Sequence, residues 1–475
     1  PLLRDWLRRD IGFDGVIVSD YNAIAELLRH GVAGDLAEAA AAALLAGVDI
    51  DMMSDAYSRG LPEAITRGLV SVDLVDAAAR RVLKLKEQLG LFDDPYRRGS
   101  AGIAAPGAPK ARIELARELA RRAIVVLTNG QVLPLSPTLR RIALIGPLAD
   151  ARAEMLGPWA MAGSAAGVVT IHEGLAVALP EAEITVAPGV AIDGANMSGI
   201  AAARDACRNA DLILLCLGEA ANMSGEAASR ANPGLPGVQG ALAEAIFDLG
   251  KPVVALISSG RPLIVTAIVE KARAVVATWF LGAEAGNAIA DVLTGKFNPT
   301  GRLPVTWPRD VGQVPIFFAV RPSGRPANPY DHFTSKYLDM PVEPLFFFGH
   351  GLSYSRFTLT NLRASKAAFQ RDDELTIEVD VLNEGPAAGE ATVFLFARDI
   401  LASVARPLLE LKGVAKIALR PGEGGTVCFQ LGAEALSFPG RDLKPVLEPG
   451  EFLLLAGQSA DSRELLSTKV RAVPD

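Results

Sequence analysis

The sequence predicts a multidomain α/β plus all-β protein. It would combine the C-terminal part of a (β/α)8 barrel, an α/β sandwich with a mostly parallel sheet, and a small antiparallel β-sandwich. Two patterns support this prediction. Apolar runs alternate with helical segments through most of the chain, and roughly the last hundred residues hold short strands separated by turn sequences. The chain has 475 residues, half of them apolar, which is enough material for about two or three hydrophobic cores.

Residues 1–92 are predicted to form the C-terminal portion of a TIM-like barrel. The run 15–18 has the composition of a strand buried on both faces, and 47–52 repeats the arrangement of a short strand with acidic residues near its end. A closed barrel needs eight strands, so two such units are at most about a quarter of one. Pro1 leads straight into a predicted helix with no initiator Met and no signal peptide, so we expect an N-terminally truncated chain.

Asp20 directly follows the first of these strands and is a candidate catalytic residue. A parallel strand that ends in a carboxylate and leads into a helix places that carboxylate at the C-terminal rim of the sheet, where barrel enzymes carry out their chemistry. The alternative is that Asp20 only caps a loop or the next helix, which is the commoner role of a strand-end Asp.

The remaining domain boundaries follow from changes in composition. Pro, Gly and Ala are enriched over 93–110, which predicts a linker. We expect an α/β sandwich domain over 111–325, a connecting segment over 326–360 and the β-sandwich over 361–475. The predicted strands of the α/β domain are 142–145, 184–186, 212–217, 253–257 and 275–278. Those of the β-sandwich are 375–382, 391–397, 413–419, 425–431 and 450–456.

Glu226 lies in a long loop, 218–230, that follows the most apolar strand of the α/β domain. Open α/β sheets bind ligands at the carboxyl ends of their strands, so this loop is a candidate site. The alternative, favoured by the pattern alone, is a solvated surface loop in which Glu226 pairs with Arg230.

Composition argues against several classes of partner. The 47 basic and 54 acidic residues are scattered, which argues against a nucleic acid or a polybasic membrane surface, and no apolar stretch is long enough to predict membrane insertion. The three cysteines and four histidines show no ligand spacing, so no metal site is expected. Gly146-Pro147 follows a strand but no GxGxxG accompanies it, so no dinucleotide or other cofactor is expected.

A series of short motifs runs along the chain. They are GFDGVIVSD (12–20), LGLFDDPY (89–96), IGPLAD (145–150), GEAASR (225–230), NPTGRLP (298–304), FGHGLSY (348–354), ASVARP (402–407) and ELKG (410–413). In this order, and with this succession of domains, the sequence resembles glycoside hydrolase family 3, specifically its periplasmic β-glucosidase-like subgroup. The resemblance implies that the β-sandwich is a fibronectin type III-like domain.

The resemblance also implies a retaining β-glycosidase that hydrolyses terminal non-reducing β-D-glucosyl residues by double displacement. Asp20 matches the nucleophile of the family and Glu226 matches the acid/base of this subgroup. Tyr21 stands where the family often has Trp, and we expect its ring to stack on a sugar. His350 stands where Tyr is usual and is interpreted as a packing variant. No cofactor or metal is implied.

Alternatives remain within and outside this family. The barrel units that hold the glycone are missing from this chain, so β-xylosidase activity is an open alternative, as is a non-catalytic carbohydrate-binding scaffold. For the same reason we expect residues 1–475 alone to lack glucosidase activity and to be protease-sensitive before about residue 95. The implied partner is a β-linked oligosaccharide or glucoside, and the implied location is periplasmic or secreted. The oligomeric state stays open, with a homodimer among the options.

Overall fold

The computed structural model describes residues 1–96 and 110–474, so most of the predicted linker 93–110 lies outside the described residues. The chain divides into two compact units, 1–107 and 108–475, which we call the N-terminal unit and the C-terminal unit. Nowhere in 1–96 or 110–474 is there a helix with the length and apolar composition needed to cross a membrane.

The N-terminal unit is mainly helical in its described part. Its helices are two π-helical segments, Leu2–Asp10 and Ala56–Gly60, and the α-helices α1 (Ala23–Arg29), α2 (Leu36–Ala46), α3 (Leu61–Thr66) and α4 (Val72–Gln88). Helix α2 is the centre of its core, because its small alanine side chains allow neighbouring segments to approach closely. It begins where the side chain of Asp35 accepts a hydrogen bond from the Glu38 N–H, and it ends at Gly47 in the left-handed conformation.

The strands predicted over 15–18 and 47–52 meet as a single parallel bridge, between Val18 and Ile50. The prediction that the first strand is buried on both faces is wrong, because Val18 is 46% exposed. A strand is buried on both faces only when its neighbours extend the sheet and helices cover it. Within the described residues the 15–18 segment pairs only with the 47–52 segment.

The C-terminal unit begins with an α/β domain. Its strands are β1 (Val125–Asn129), β2 (Arg141–Ile145), β3 (Glu183–Ala187), β4 (Leu212–Gly218), β5 (Val253–Ser258) and β6 (Ala274–Ala277). Its α-helices are α5 (Lys110–Ala123), α6 (Ile171–Ala178), α7 (Ile200–Ala206), α8 (Gln239–Phe247), α9 (Thr266–Lys271) and α10 (Ala285–Leu293). The strand order is β1-β6-β5-β4-β2-β3, and only β1 runs antiparallel to its neighbour. Apolar clusters cover both faces, so the predicted mostly parallel, two-sided sheet is confirmed.

The β-sandwich follows in the same unit. Its elements are β7 (Phe357–Ala364), β8 (Ala368–Phe369), β9 (Glu374–Asn383), β10 (Gly389–Asp399), β11 (Glu410–Leu419), β12 (Gly424–Gly432), α11 (Ala433–Leu436), β13 (Phe438–Pro439), β14 (Pro445–Val446), β15 (Gly450–Gly457) and β16 (Leu466–Ala472). One sheet has the order β11-β10-β15-β16-β8 and the facing sheet β12-β9-β7. The predicted sandwich is confirmed, although the short β8 pairs with β16 in parallel.

An aromatic-rich segment joins the two domains of the C-terminal unit. Trp307 and Phe346 are buried in the α/β core, and Phe348 packs against Phe394 of β10. His350 stacks on Phe346, and its Nε2 lies 2.8 Å from the Leu127 carbonyl oxygen of β1. Burial lowers the pKa of His350. The side chain therefore has the packing environment expected from the sequence.

Candidate active site

Asp20 is exposed and begins the connection from the 15–18 segment to helix α1. Its Oδ1 accepts a hydrogen bond from the Tyr21 N–H at 2.7 Å. The preceding Ser19 fixes the local backbone, because its N–H donates to the Ile50 carbonyl at 2.9 Å and its hydroxyl accepts from the Met52 N–H at 3.0 Å. The carboxylate thus projects into solvent from a backbone that the neighbouring segment holds in place.

Asp49, whose side chain is fully buried, holds the 15–18 segment in place. Its Oδ2 accepts from the Ile17 N–H at 2.9 Å and from Arg8 Nη2 at 2.6 Å, while Arg81 donates two hydrogen bonds to Oδ1. Arg8 also donates to the Gly15 carbonyl at 2.9 Å. A buried carboxylate shared by two guanidinium groups therefore ties the segment before Asp20 to helix α4.

Tyr21 follows Asp20 and presents 62% of its surface to solvent. The face of an exposed aromatic ring can pack against an apolar surface of a ligand, and the hydroxyl of a tyrosine adds a hydrogen-bonding group. The structure therefore brings the two candidate residues of the N-terminal unit together at one surface position.

Glu226 lies in the loop between β4 and α8 and is also exposed. Its two neighbours adopt left-handed backbone conformations, Gly225 with φ of 98° and Ala227 with φ of 57°. A non-glycine residue in this region is uncommon, and such strain is concentrated at functional sites. The backbone on both sides therefore turns the Glu226 side chain outwards.

Arg230 does not pair with Glu226. Its Nη1 donates instead to Oε1 of Glu219 at 2.8 Å, and the Glu219 side chain is fully buried. In the described part of the chain, no cationic side chain lies within 4.0 Å of the Glu226 carboxylate. The ion pair between Glu226 and Arg230 that the surface-loop alternative predicts is therefore wrong, because the guanidinium of Arg230 bonds to Glu219 at the end of β4 instead.

Trp159 is a neighbour that the sequence did not reveal. It is 65% exposed, and a Cβ atom added to Gly225 would lie 3.6 Å from its indole ring and 3.1 Å from Pro158. The two loops are also joined by a hydrogen bond from the Ala221 N–H to the carboxylate of Glu154. An exposed indole thus flanks the loop of Glu226, although 67 residues separate these two hydrogen-bonded positions.

In each unit, therefore, the candidate carboxylate is exposed on a segment that buried ion pairs hold in place, and an exposed aromatic residue lies next to it in the chain (Tyr21) or next to its loop (Trp159). Such a carboxyl group can act as a nucleophile when ionised, or it can donate a proton and take one back. The sequence had singled out Asp20, Tyr21 and Glu226. It had not assigned roles to Asp49 and Trp159.

Comparison with known proteins gives matches along the chain. The family model described as the glycosyl hydrolase family 3 N terminal domain matches residues 1–85, and that of the family 3 C-terminal domain matches 124–354. A fibronectin type III-like domain model matches residues 391–460.

Individual relatives give the same result. A periplasmic β-glucosidase of Salmonella typhimurium is 40% identical over 96% of this chain and 63% of its own length. A β-xylosidase of Formosa agariphila is 36% identical over 98% of this chain and 65% of its own length. The crystal structure of a β-glucosidase from Listeria innocua with isofagomine superposes with a TM-score of 0.90 at 36% identity, covering 99% of this chain and 66% of that one. The chain thus spans just under two thirds of the length of these relatives.

Proposed function

Because this chain belongs to glycoside hydrolase family 3, we propose that it carries both catalytic carboxylates of a retaining β-glycosidase. The proposed substrates are glucosides and oligosaccharides with a terminal non-reducing β-D-glucosyl residue. The observation that carries the proposal is that Asp20 and Glu226, the carboxylates that match the catalytic positions of the family, are both exposed on segments held by buried ion pairs.

Asp20 is the proposed nucleophile. Its carboxylate oxygen attacks the anomeric carbon, the bond from that carbon to the glycosidic oxygen breaks, and a covalent glycosyl ester forms on Asp20. Two properties of the residue support this role: its side chain is exposed, and its backbone position is fixed through Ser19 and Asp49.

Glu226 is the proposed acid/base. In the first step its carboxyl group gives a proton to the departing glycosidic oxygen. In the second, its carboxylate takes a proton from the water that attacks the anomeric carbon and releases Asp20. The product then keeps the β configuration. Its freedom from any ion pair within the described C-terminal unit supports this role, because a permanent salt bridge would oppose protonation.

Tyr21 and Trp159 are the proposed sugar-contacting aromatic residues, since Tyr21 is largely exposed directly after Asp20 and Trp159 is largely exposed beside Gly225, the residue before Glu226. The Salmonella relative carries the name periplasmic β-glucosidase, and we extend a periplasmic or secreted location to this chain on that basis.

β-Xylosidase activity is the second candidate, favoured by the 36% identity to the β-xylosidase of Formosa agariphila. The two sugars differ by one hydroxymethyl group, so the ratio of kcat/KM for 4-nitrophenyl β-D-glucoside and β-D-xyloside decides between them. A protein that binds such sugars and hydrolyses neither of them would instead be a carbohydrate-binding scaffold.

The direct test of the acid/base is Glu226→Ala in the protein at its full natural length. We expect kcat/KM to fall about 100-fold or more on cellobiose, and only slightly on 2,4-dinitrophenyl β-D-glucoside, whose leaving group needs no proton. Glu181→Ala, at an exposed position in the same unit, is the matched control and should change neither value. Equal losses on both substrates in Glu226→Ala would contradict the assignment.

A further inference from the structure

Glu219 is a buried carboxylate for which the proposed reaction has no direct use. Glu219 directly follows β4 and is fully buried, and its backbone N–H donates to the Ser258 carbonyl at the end of β5. The carboxylate receives hydrogen bonds from the Ser224 hydroxyl at 2.9 Å and Arg230 Nη1 at 2.8 Å, and Nε of Arg261 lies 3.2 Å away. A carboxylate is buried in this way only when several donors offset its lost hydration.

Arg261 connects this carboxylate to the loop of Glu226. Its Nε faces Glu219, and its Nη2 donates to the carbonyl of Ala228 at 2.7 Å and to the carbonyl of Met223. Met223 and Ala228 lie on either side of Glu226 in the sequence. One planar guanidinium thus fixes the loop before and after the proposed acid/base, a task that suits its fixed fork of donors.

The packing beneath the loop leaves little room for adjustment. A Cβ atom on Gly260 would lie 2.5 Å from the Ser224 hydroxyl oxygen, so the loop sits directly on the turn after β5. Ser224 is itself buried and bonded to Glu219. The loop is therefore seated by close packing as well as by charge.

We propose that Glu219 and Arg261 form a clamp that positions Glu226 for proton transfer to the glycosidic oxygen. The inference rests on the proposed function, in which Glu226 is the acid/base. Neither clamp residue reacts. Glu219 orients Arg261 and Arg230, and Arg261 holds the two loop carbonyls so that the strained turn around Glu226 keeps one conformation. Proton donation is sensitive to such positioning, since a displacement of about 1 Å can cost about 100-fold in rate.

The test compares leaving groups in Glu219→Gln and Arg261→Lys, in the protein at its full natural length. Glutamine keeps the shape of Glu219 but removes its charge, and lysine keeps the charge of Arg261 but cannot reach the carboxylate and two carbonyls together. We expect kcat/KM on cellobiose to fall about 10- to 100-fold, with less than about a threefold loss on 2,4-dinitrophenyl β-D-glucoside. A change in this ratio separates positioning from a general loss of folded enzyme.

Asp291→Asn is the matched control. Asp291 is another buried carboxylate of the same unit, paired with Arg117 of α5. Its loss should lower stability without changing the ratio between the two substrates. If Glu219→Gln and Arg261→Lys do not fold, Arg230→Gln is tested instead, because Arg230 is the other guanidinium bonded to Glu219, and the same direction of change is expected.

The outcomes distinguish the two claims. If Glu226→Ala is selective for leaving group but every folded clamp variant keeps the wild-type ratio, the clamp is refuted and the acid/base assignment stands. If Glu226→Ala lowers kcat/KM equally on both substrates, the proposed function is refuted, and the clamp, which depends on it, is refuted as well. Selective loss in the clamp variants together with an unchanged ratio in Asp291→Asn supports the clamp.

Discussion

Replacing Asp49 by Ala should destabilise the segment before Asp20, so that the free energy of its local unfolding falls by a large and measurable amount. The buried carboxylate accepts hydrogen bonds from the Ile17 N–H, Arg8 and Arg81. Its removal leaves two guanidinium groups facing each other without a counter-charge. Breaking a buried ion pair in this way typically costs about 3–5 kcal/mol.

Hydrogen exchange followed by mass spectrometry measures this cost where it arises. At about 1.4 kcal/mol per tenfold, the loss corresponds to a roughly 150- to 4,000-fold increase in the opening equilibrium of peptides covering 15–18 and 47–52. Glu63→Ala, which removes an exposed partner of Arg67 in the same unit, is the control and should leave these peptides unchanged. Exchange at the wild-type rate in Asp49→Ala would refute the anchoring role.

Two further predictions concern stability. Burial lowers the pKa of His350 below its ordinary value of 6.5. Above pH 6.5 the side chain is neutral in both the folded and the unfolded state, so its contribution to stability is fully present. As the pH falls below 6.5 the unfolded state binds a proton before the folded state does, so this stability is lost towards the lowered pKa. His350→Phe should therefore show a flatter fall of Tm between about pH 7 and pH 5 than the wild type, and parallel curves would contradict this. The polypeptide 1–475 should be cleaved by trypsin before about residue 95, because the described N-terminal unit offers one strand bridge and exposed apolar residues such as Trp6. Resistance to trypsin before about residue 95 would contradict this prediction.

Local sequence patterns predicted most of the fold of the C-terminal unit. In strands β2, β4 and β5, residues 142–145, 212–217 and 253–257 form continuous apolar runs, each followed by Gly or Ser, and such runs can be recognised without tertiary information. Strand β1 was missed because Val125–Asn129 follows helix α5 with no turn signal between them. In the N-terminal unit the apolar run 15–18 predicted a strand buried on both faces, and this was wrong because burial depends on the neighbouring strands and not on the run itself.

The candidate residues were predicted from motifs, but their environment was not. The spacing of Glu226 and Arg230 is compatible with an ion pair, yet Arg230 bonds to Glu219, 11 residues away, because the loop folds back over the end of β4. Arg261 joins the same network because β4 and β5 are adjacent in the sheet. Strand order is a tertiary property, and no pattern within the loop encodes it.

The most direct test of the central claim is to trap the proposed covalent intermediate. The protein at its full natural length would be incubated with 2,4-dinitrophenyl 2-deoxy-2-fluoro-β-D-glucoside, digested with pepsin and analysed by mass spectrometry. Fluorine at the 2-position slows both steps, and the good leaving group lets the glycosyl ester form and accumulate. We predict one fluoroglucosyl group on the peptide that contains Asp20, and no labelling in Asp20→Ala. A label on any other carboxylate, or wild-type turnover by Asp20→Ala, would contradict the assignment of Asp20 as the nucleophile.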